Sequence, residues 1–173
     1  VNKVREYEDE LDYIVINDGS IDNTEKILKE NDIEHIKLVN NLGIGGAVQT
    51  GYKYAYENNY DIAIQFDGDG QHDVTYVKKI CKPLIEGKSD MCIGTRYLDK
   101  SESKFQSTLM RRIGSNIISF FIKIMTKTKI TDPTSGFRAV NKKAIEEFAK
   151  NYPTEYPEPE STVSLLVNNY KVT

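Results

Sequence analysis

Short β-branched runs alternate with helical patterns along the first half of the chain, and this alternation restricts the fold more than any other feature. Strands are predicted at residues 13–16, 35–39, 61–66 and 90–95. Polar or glycine-rich residues follow several of these strands, at the sheet edge where open α/β sheets bind their ligands. The alternation predicts βαβ units, and therefore an α/β fold with a mostly parallel, Rossmann-like sheet flanked by helices.

Helices are predicted between and after these strands. Asp22 to Glu25 has the spacing of a capping box, and the helix that it starts is expected to end near residue 30. Asp73 is expected to cap a helix through 77–84. Further helices are predicted at 46–57, 105–127 and 141–150, and after 156–160.

The long helix at 105–127 is apolar on one face, which includes Ile117, Phe120 and Ile124. This pattern favours a helix in the core or in a dimer interface. A membrane surface or another partner is the alternative.

Composition excludes several classes of protein. The chain has 173 residues, a single-domain length, and its net charge of −3 argues against binding to nucleic acid through bulk charge. Cys81 and Cys92 cannot form a disulfide framework, which favours a cytoplasmic setting. The apolar stretch 117–125 is too short to cross a bilayer, and no signal peptide is recognised. Both ends resemble interrupted elements, with a strand beginning at 170–173, so we expect a longer protein truncated at both ends.

Two carboxylates and an amide follow the third predicted strand. Asp67, Asp69 and Gln71 alternate along the chain and therefore share one face if the backbone is extended. Their oxygens suit Mg²⁺ or Mn²⁺, and a cation offsets the repulsion between neighbouring carboxylates. The alternative is a polar turn whose aspartates cap a helix.

Two other strand ends carry candidates for nucleotide binding. Asp18 follows the first strand and could accept hydrogen bonds from a base or ribose, or could belong to an ordinary turn. Gly43 and Gly45 precede a helix and could admit a ligand close to the backbone, although a tight turn fits equally well. A dinucleotide fingerprint is excluded because Val48 stands where its last glycine is required.

Positive side chains near these strand ends are candidate phosphate ligands. Arg96 ends the fourth strand, and Arg111 and Arg112 lie early in the long helix. Arginine pairs with phosphate in a bidentate fork, and solvated surface charge is the alternative. His72 lies beside the carboxylates and could contact a phosphate, whereas His35 is expected at the surface or at a strand edge.

Six segments, in order along the chain, resemble glycosyltransferase family 2 of the GT-A fold, and within it the branch of enzymes like dolichyl-phosphate mannose synthase. These segments are 17–20 (NDGS), 40–47 (NNLGIGGA), 67–72 (DGDGQH), 94–96 (GTR), 132–138 (DPTSGFR) and 156–160 (YPEPE).

The resemblance implies an inverting, metal-dependent transferase that moves a sugar from a nucleoside diphosphate sugar to an acceptor. The expected acceptor is a prenyl phosphate, undecaprenyl or dolichyl, with a glycan as the other class. The implied donor-binding residues are Asp18, Gly19, Asn40, Gly43, Gly45, Asp67 and Gly68. The implied metal ligands are Asp67, Asp69 and Gln71. The implied acceptor-phosphate residues are Arg96, Arg112 and Ser115. Asp132 is, by position, the candidate base for a sugar hydroxyl, and joins Asp67 and Asp69 as a catalytic candidate.

The sequence departs from the family pattern in two places. Asn17 stands where the family usually has an aspartate, and the family's opening strand is not found. We therefore expect one catalytic domain over 1–173 that lacks this strand. Its donor and metal half is expected at 1–100, and its acceptor half at 101–173.

The expected role is in cell-wall or polysaccharide biosynthesis, in the cytoplasm at the inner face of the membrane. Peripheral membrane contact and a homo-oligomer are both compatible with the sequence. Two alternatives to the transferase are a sugar-nucleotide nucleotidyltransferase and a non-catalytic domain that binds nucleotide sugars.

Overall fold

The computed structural model describes residues 4, 7, 11–68, 72–95 and 109–173, with side chains from residue 114 onward in the last range. The strands are β1 (Val15–Asn17), β2 (His35–Lys37), β3 (Ile62–Gln65), β4 (Met91–Ile93) and β5 (Arg138–Asn141). The helices are α1 (Thr24–Glu30), α2 (Gly43–Glu57), α3 (Val77–Ile85), α4 (Leu109–Thr126), α5 (Lys142–Lys150) and α6 (Pro157–Val167). A 3₁₀ turn, Val74–Tyr76, leads into α3.

Local side-chain hydrogen bonds start two of the helical segments. The predicted capping box at Asp22 to Glu25 does not form: α1 begins at Thr24, the side chain of its N-cap residue Asn23 makes no cap hydrogen bond, and the Asp22 carboxylate accepts from the Thr24 N–H at 2.9 Å. The Asp73 carboxylate accepts a hydrogen bond from the Thr75 N–H at 3.0 Å, which confirms the predicted cap. Asn141 caps α5 by accepting from the Ala144 N–H at 3.1 Å. α2 begins at Gly43, three residues before the predicted start at 46, so the glycine-rich segment is part of the helix and not a loop before it.

The strands form two sheets. β1 and β2 pair in parallel, as the βαβ pattern predicts. In the second sheet β5 lies between β3 and β4 and runs antiparallel to both, so the expectation of parallel pairing is wrong for this strand. Because β5 follows the long helix, the alternation of the first half of the chain contains no information about it. At the chain end, Val172 forms a parallel bridge with Met91.

Two apolar clusters cover the two faces of the second sheet. Met91 and Val140 belong to the cluster that also holds buried residues of α2, α4, α5 and α6. Their strand neighbours Cys92 and Ala139 belong to the cluster on α3. This alternation follows from the twofold periodicity of strands. The predicted α/β fold class is confirmed.

α4 is apolar on two sides, and only one side is buried. Ile122 is buried and Ile118 packs against the same cluster. The predicted apolar face with Ile117, Phe120 and Ile124 is exposed instead, so the expectation that it packs in the core of this chain is wrong. Within the described residues, no helix combines the length and the apolarity needed to cross a bilayer.

Replacing Phe148 by alanine, with Phe120 as a control, tests which side chains form the core and which lie outside it. Phe148 is 1% exposed and contacts the Tyr52 and Tyr152 rings at centroid distances of 5.1 and 5.0 Å. We expect Phe148→Ala to lower the free energy of unfolding by about 3–5 kcal/mol, measured by urea denaturation. The matched change Phe120→Ala should alter it by less than about 0.5 kcal/mol, because that ring is exposed. An equal loss in both variants would contradict the placement of α4.

Candidate functional site

The loops after β1 and β2 meet at the edge of the first sheet. The Asp18 carboxylate accepts a hydrogen bond from the Leu42 N–H at 2.7 Å. The Asn41 side chain donates to the Asp18 carbonyl at 3.0 Å. Gly19 has a φ of +68°, and a Cβ there would lie 3.0 Å from the Asn41 nitrogen, so only glycine suits this position. Asp18, Gly19 and Asn40 to Gly43 therefore form one contiguous surface.

Asn17, the departure from the family pattern, is buried in this turn. Its amide donates to a Glu25 carboxylate oxygen at 3.0 Å and its carbonyl accepts from the Ser20 N–H at 3.0 Å. An aspartate could accept the second bond but could not donate the first. Glu25 itself has its pKa lowered to about 2, chiefly by the hydrogen bond from Lys29. The amide of Asn17 therefore supplies a hydrogen-bond donor to the ionised Glu25 carboxylate, which an aspartate could not do.

The glycines at the start of α2 have different surroundings. Gly43 has a φ of +74° and donates to the Asn41 side chain at 3.0 Å. Gly45 is buried, and a Cβ there would lie 2.6 Å from the Pro153 carbonyl oxygen. The close approach at Gly45 is therefore to the protein's own backbone at 153–154.

Asp67 follows β3 and is held on two sides. A nitrogen of the His72 ring lies 3.2 Å from one Asp67 carboxylate oxygen. On the other side, a Cβ at Gly136 would overlap the Asp67 carboxylate. The hydrogen bond from His72 is the main reason why the pKa of the Asp67 carboxyl lies below its ordinary value. Asp67 is thus ionised, and its side chain remains 37% exposed.

The His72 ring is itself fixed by aromatic contacts. It stacks on Phe137 at a centroid distance of 5.4 Å and meets Phe66 edge-on at 5.5 Å. His72 was a candidate for contact with a phosphate, and here it contacts the Asp67 carboxylate, five residues earlier in the motif. The useful sequence signal is the spacing of five residues between an aspartate and a histidine across a glycine-rich turn.

The loop at 132–136 brings two further candidates together. Asp132 is fully buried and accepts from the Thr134 hydroxyl at 3.1 Å. The buried Ser115 hydroxyl of α4 lies 3.5 Å from the same carboxylate oxygen, at the limit of a hydrogen bond. A predicted acceptor residue and the predicted base thus lie side by side.

Arg138 holds this loop in place, a role that the sequence analysis did not identify. Its guanidinium donates to the Pro133 carbonyl at 2.7 Å, to the Ser135 carbonyl at 2.7 Å and to the Ser161 hydroxyl at 2.8 Å. Arg138 is 1% exposed, and this burial lowers its pKa. The available signal was an arginine two residues after the segment 132–136, which contains proline and glycine, since a charge that becomes buried there needs internal partners.

The remaining predicted residues are placed as follows. Asp69, Gln71 and Arg96 lie outside the described residues, as does the side chain of Arg112. Gly68 is described, and a Cβ there would meet no atom within 4 Å. Within the described ranges, no group of three or more His, Cys, Asp or Glu side chains could hold a metal ion. The described part of the motif fits a cation, because Asp67 is ionised and partly open.

Replacing His72 by phenylalanine tests the cause of the lowered Asp67 pKa. The variant keeps an aromatic ring against Phe137 and removes the hydrogen bond, so the pKa of Asp67 should rise toward about 3.9. A carboxyl whose pKa is lower in the folded state than in the unfolded state stabilises the fold at any pH above its unfolded-state pKa. This contribution is lost as the pH falls through its folded-state pKa. The variant should therefore lose less stability on acidification.

A carboxyl-carbon NMR titration of Asp67 measures this shift directly. His35→Phe is the control, because the His35 ring lies 3.5 Å from Glu25 and not near Asp67. An Asp67 pKa that is the same in His72→Phe and in the unaltered chain would exclude the hydrogen bond as its cause.

Comparison with known proteins matches most of this chain to one family model. The family model described as Glycosyl transferase family 2 matches residues 1–149. A UDP-N-acetylglucosamine–dolichyl-phosphate N-acetylglucosaminyltransferase from Methanococcus voltae is 34% identical over 163 residues, covering 82% of this chain and 64% of that protein. An undecaprenyl-phosphate mannosyltransferase from Micrococcus luteus is 25% identical over 144 residues, covering 80% and 58%. This chain spans less than two thirds of each relative.

A solved structure has a similar fold. The crystal structure of glucosyl-3-phosphoglycerate synthase from Mycobacterium tuberculosis, in complex with phosphoglyceric acid, matches with a TM-score of 0.57. The sequence identity is 16%, and the match covers 90% of this chain and 53% of that one. The likeness supports the GT-A type of α/β fold.

Proposed function

The chain belongs to glycosyl transferase family 2, and from that premise we propose that it transfers a sugar, with inversion, from a nucleoside diphosphate sugar to a prenyl phosphate. The observation that carries the proposal is the loop at 132–136. Through Gly136 it contacts the ionised Asp67, and through Asp132 it contacts Ser115 on α4. A donor-side carboxylate and an acceptor-side hydroxyl thus adjoin the same short loop. The dolichyl-phosphate and undecaprenyl-phosphate relatives support the same acceptor class.

On the donor side, the surface formed by Asp18, Gly19, Asn40 and Gly43 would bind the nucleoside. Gly45 would contribute by seating α2 against 153–154. Gly68 leaves space beside Asp67 for the pyrophosphate. Residues 1–100 would form the donor half of the domain in this proposal.

Asp67, with Asp69 and Gln71, would hold Mg²⁺ or Mn²⁺. A divalent cation bound there would neutralise charge on the departing diphosphate. His72 would keep Asp67 ionised and oriented, and Gly136 leaves the room that the carboxylate occupies. The chain would therefore hold the Asp67 carboxylate in position before any ligand binds.

On the acceptor side, the burial of Asp132 favours a phosphate over a sugar hydroxyl. A sugar hydroxyl needs a base that can reach it, and Asp132 is fully buried against Thr134 and Ser115. A prenyl phosphate is already an anionic nucleophile and needs positioning. Arg96 and Arg112 would supply that positioning. Ser115, whose hydroxyl donates to Asp132, would tie α4 to the loop beside them. Residues 101–173 would form this acceptor half.

Prenyl phosphates are membrane lipids, so the reaction would take place at a membrane surface. We place it at the cytoplasmic face, where it would supply lipid-linked sugars for cell-wall or polysaccharide assembly. The partners in this proposal are the nucleotide sugar and the lipid acceptor.

A transfer assay on the full-length protein tests the proposal. Asp67→Asn should reduce sugar transfer to undecaprenyl or dolichyl phosphate by about 100-fold or more, since it removes a charge aimed at the developing diphosphate. Asp61→Asn is the matched control, because Asp61 lies at the other end of β3 and pairs only loosely with Lys142 at 3.8 Å. Transfer to a free sugar alone would overturn the lipid acceptor, and release of pyrophosphate from a nucleoside triphosphate would indicate a nucleotidyltransferase.

Replacing Gly136 by alanine tests the metal site without an assay of turnover. The new Cβ would displace the Asp67 carboxylate, so Mn²⁺ affinity measured by calorimetry should fall by about 10- to 100-fold. Gly114→Ala is the matched control, because a Cβ at Gly114 meets nothing within 4 Å. Equal Mn²⁺ affinity in both variants would remove Asp67 from the metal site.

A further inference from the structure

One aromatic ring lies between two parts of the candidate site that are far apart in sequence. Phe137, the residue before β5, is 7% exposed and belongs to the apolar cluster on α3. Its ring contacts His72, which lies against Asp67, and the same ring covers Gly94, the residue that follows β4. The place of this ring therefore affects both the metal side of the site and the end of β4.

On the metal side, the Phe137 ring fixes the orientation of the His72 ring. The two rings are stacked, with an interplanar angle of 24° and a centroid distance of 5.4 Å. Phe66 meets both rings at steep angles, at 5.6 Å from Phe137 and 5.5 Å from His72. An imidazole held between two rings keeps its nitrogen directed at the Asp67 carboxylate oxygen, 3.2 Å away.

At the end of β4, Phe137 acts through its backbone and through its ring. The Gly94 N–H donates to the Phe137 carbonyl at 2.8 Å, which continues the pairing of β4 with β5 beyond the ends of both strands. A Cβ at Gly94 would overlap the Phe137 ring. Gly94 is not among the glycines with a positive φ, so the backbone conformation does not require glycine there. The nearness of the ring is what excludes a side chain at position 94.

We propose that Phe137 is a positioning residue for the metal site, because its ring orients His72 against Asp67 and takes the space that a side chain at position 94 would need. The inference rests on the proposed function, in which Asp67 is a metal ligand. Partners that orient a metal ligand typically change metal affinity by about 10- to 100-fold when they are altered. A change at the end of β4 that moves the Phe137 ring should therefore weaken metal binding at Asp67.

Calorimetry with Mn²⁺ on the full-length protein tests this chain of contacts. Gly94→Ala places a methyl group against the ring, so Mn²⁺ affinity should fall by about 10-fold. Phe137→Leu keeps a large apolar side chain but removes the ring from His72, and it should cause a similar loss. In the double variant the methyl group meets no ring. The combined loss should therefore be no greater than in Phe137→Leu alone, because the two changes act through one contact.

Two matched controls separate positioning from a general loss of packing. Phe148 is 1% exposed and packs on Tyr52 and Tyr152, away from Asp67. Phe148→Leu should lower the melting temperature and leave Mn²⁺ affinity unchanged, since it removes a buried ring that does not contact His72. Gly114→Ala adds a methyl group where a Cβ meets nothing within 4 Å, and it should change neither quantity.

Proton NMR of the metal-free protein gives a second readout that a merely structural role would not move. Protons of an imidazole that stacks on the face of another ring resonate upfield of their usual position. Phe137→Leu should therefore shift the His72 ring-proton signals downfield, and Gly94→Ala should shift the same signals. The His35 ring lies beside Glu25, so its signals should stay in place and serve as an internal reference.

Three outcomes would overturn the inference. They are Mn²⁺ affinity that neither Gly94→Ala nor Phe137→Leu changes, an equal loss of affinity in Phe148→Leu, and losses that simply add in the double variant.

Failure of the inference can be told apart from failure of the proposed function. Transfer of sugar to a prenyl phosphate by the unaltered protein, with Mn²⁺ affinity indifferent to both variants, would reject the positioning role alone. Mn²⁺ binding that depends on Phe137, in a protein that transfers no sugar, would reject the function and leave the positioning role standing. Absence of Mn²⁺ binding by the unaltered protein would reject the metal site and this inference with it.

Discussion

The buried guanidinium of Arg138 is the interaction on which the candidate site depends. Burying a charge is costly unless every donor finds a partner, and here the partners are two carbonyls of the 132–136 loop and the Ser161 hydroxyl on α6. The negative charges of Glu158 and Asp132 also favour the protonated form. Because Arg138 belongs to β5, its backbone is fixed between β3 and β4. The Arg138 side chain therefore fixes the position of the loop relative to the sheet.

From this loop, contacts extend to both sides of the site. Gly136 lies against Asp67, and Phe137 stacks on His72, which pairs with Asp67. Phe137 also leaves no room for a Cβ at Gly94, at the end of β4. In the other direction, Asp132 meets Ser115. Two glycines are thus required by close packing and not by backbone conformation.

α4 connects the site to its surroundings. Its inner side belongs to the core and presents Ser115 to the loop, while its outer face remains apolar and exposed. Fully burying such side chains is worth roughly 1.5–3 kcal/mol each relative to full exposure, and five of them on this side remain more than half exposed. One side of the helix is therefore buried and the other exposed, and the periodicity of its sequence could not distinguish them because both sides are apolar.

The sequence alone determined the elements whose causes are local. The α/β class, the cap at Asp73, and the placement of Asp18 and Asp67 after strands follow from periodicity and short-range hydrogen bonding. The family could also be identified, because its motifs are short and ordered along the chain. Only the tertiary structure decided that β5 lies between β3 and β4 and that His72 contacts Asp67. It also decided that Arg138 holds the 132–136 loop and that one apolar side of α4 is exposed. Each of these depends on residues far apart in sequence, and local propensity contains no information on which distant partners a buried charge, a ring or an apolar face will meet.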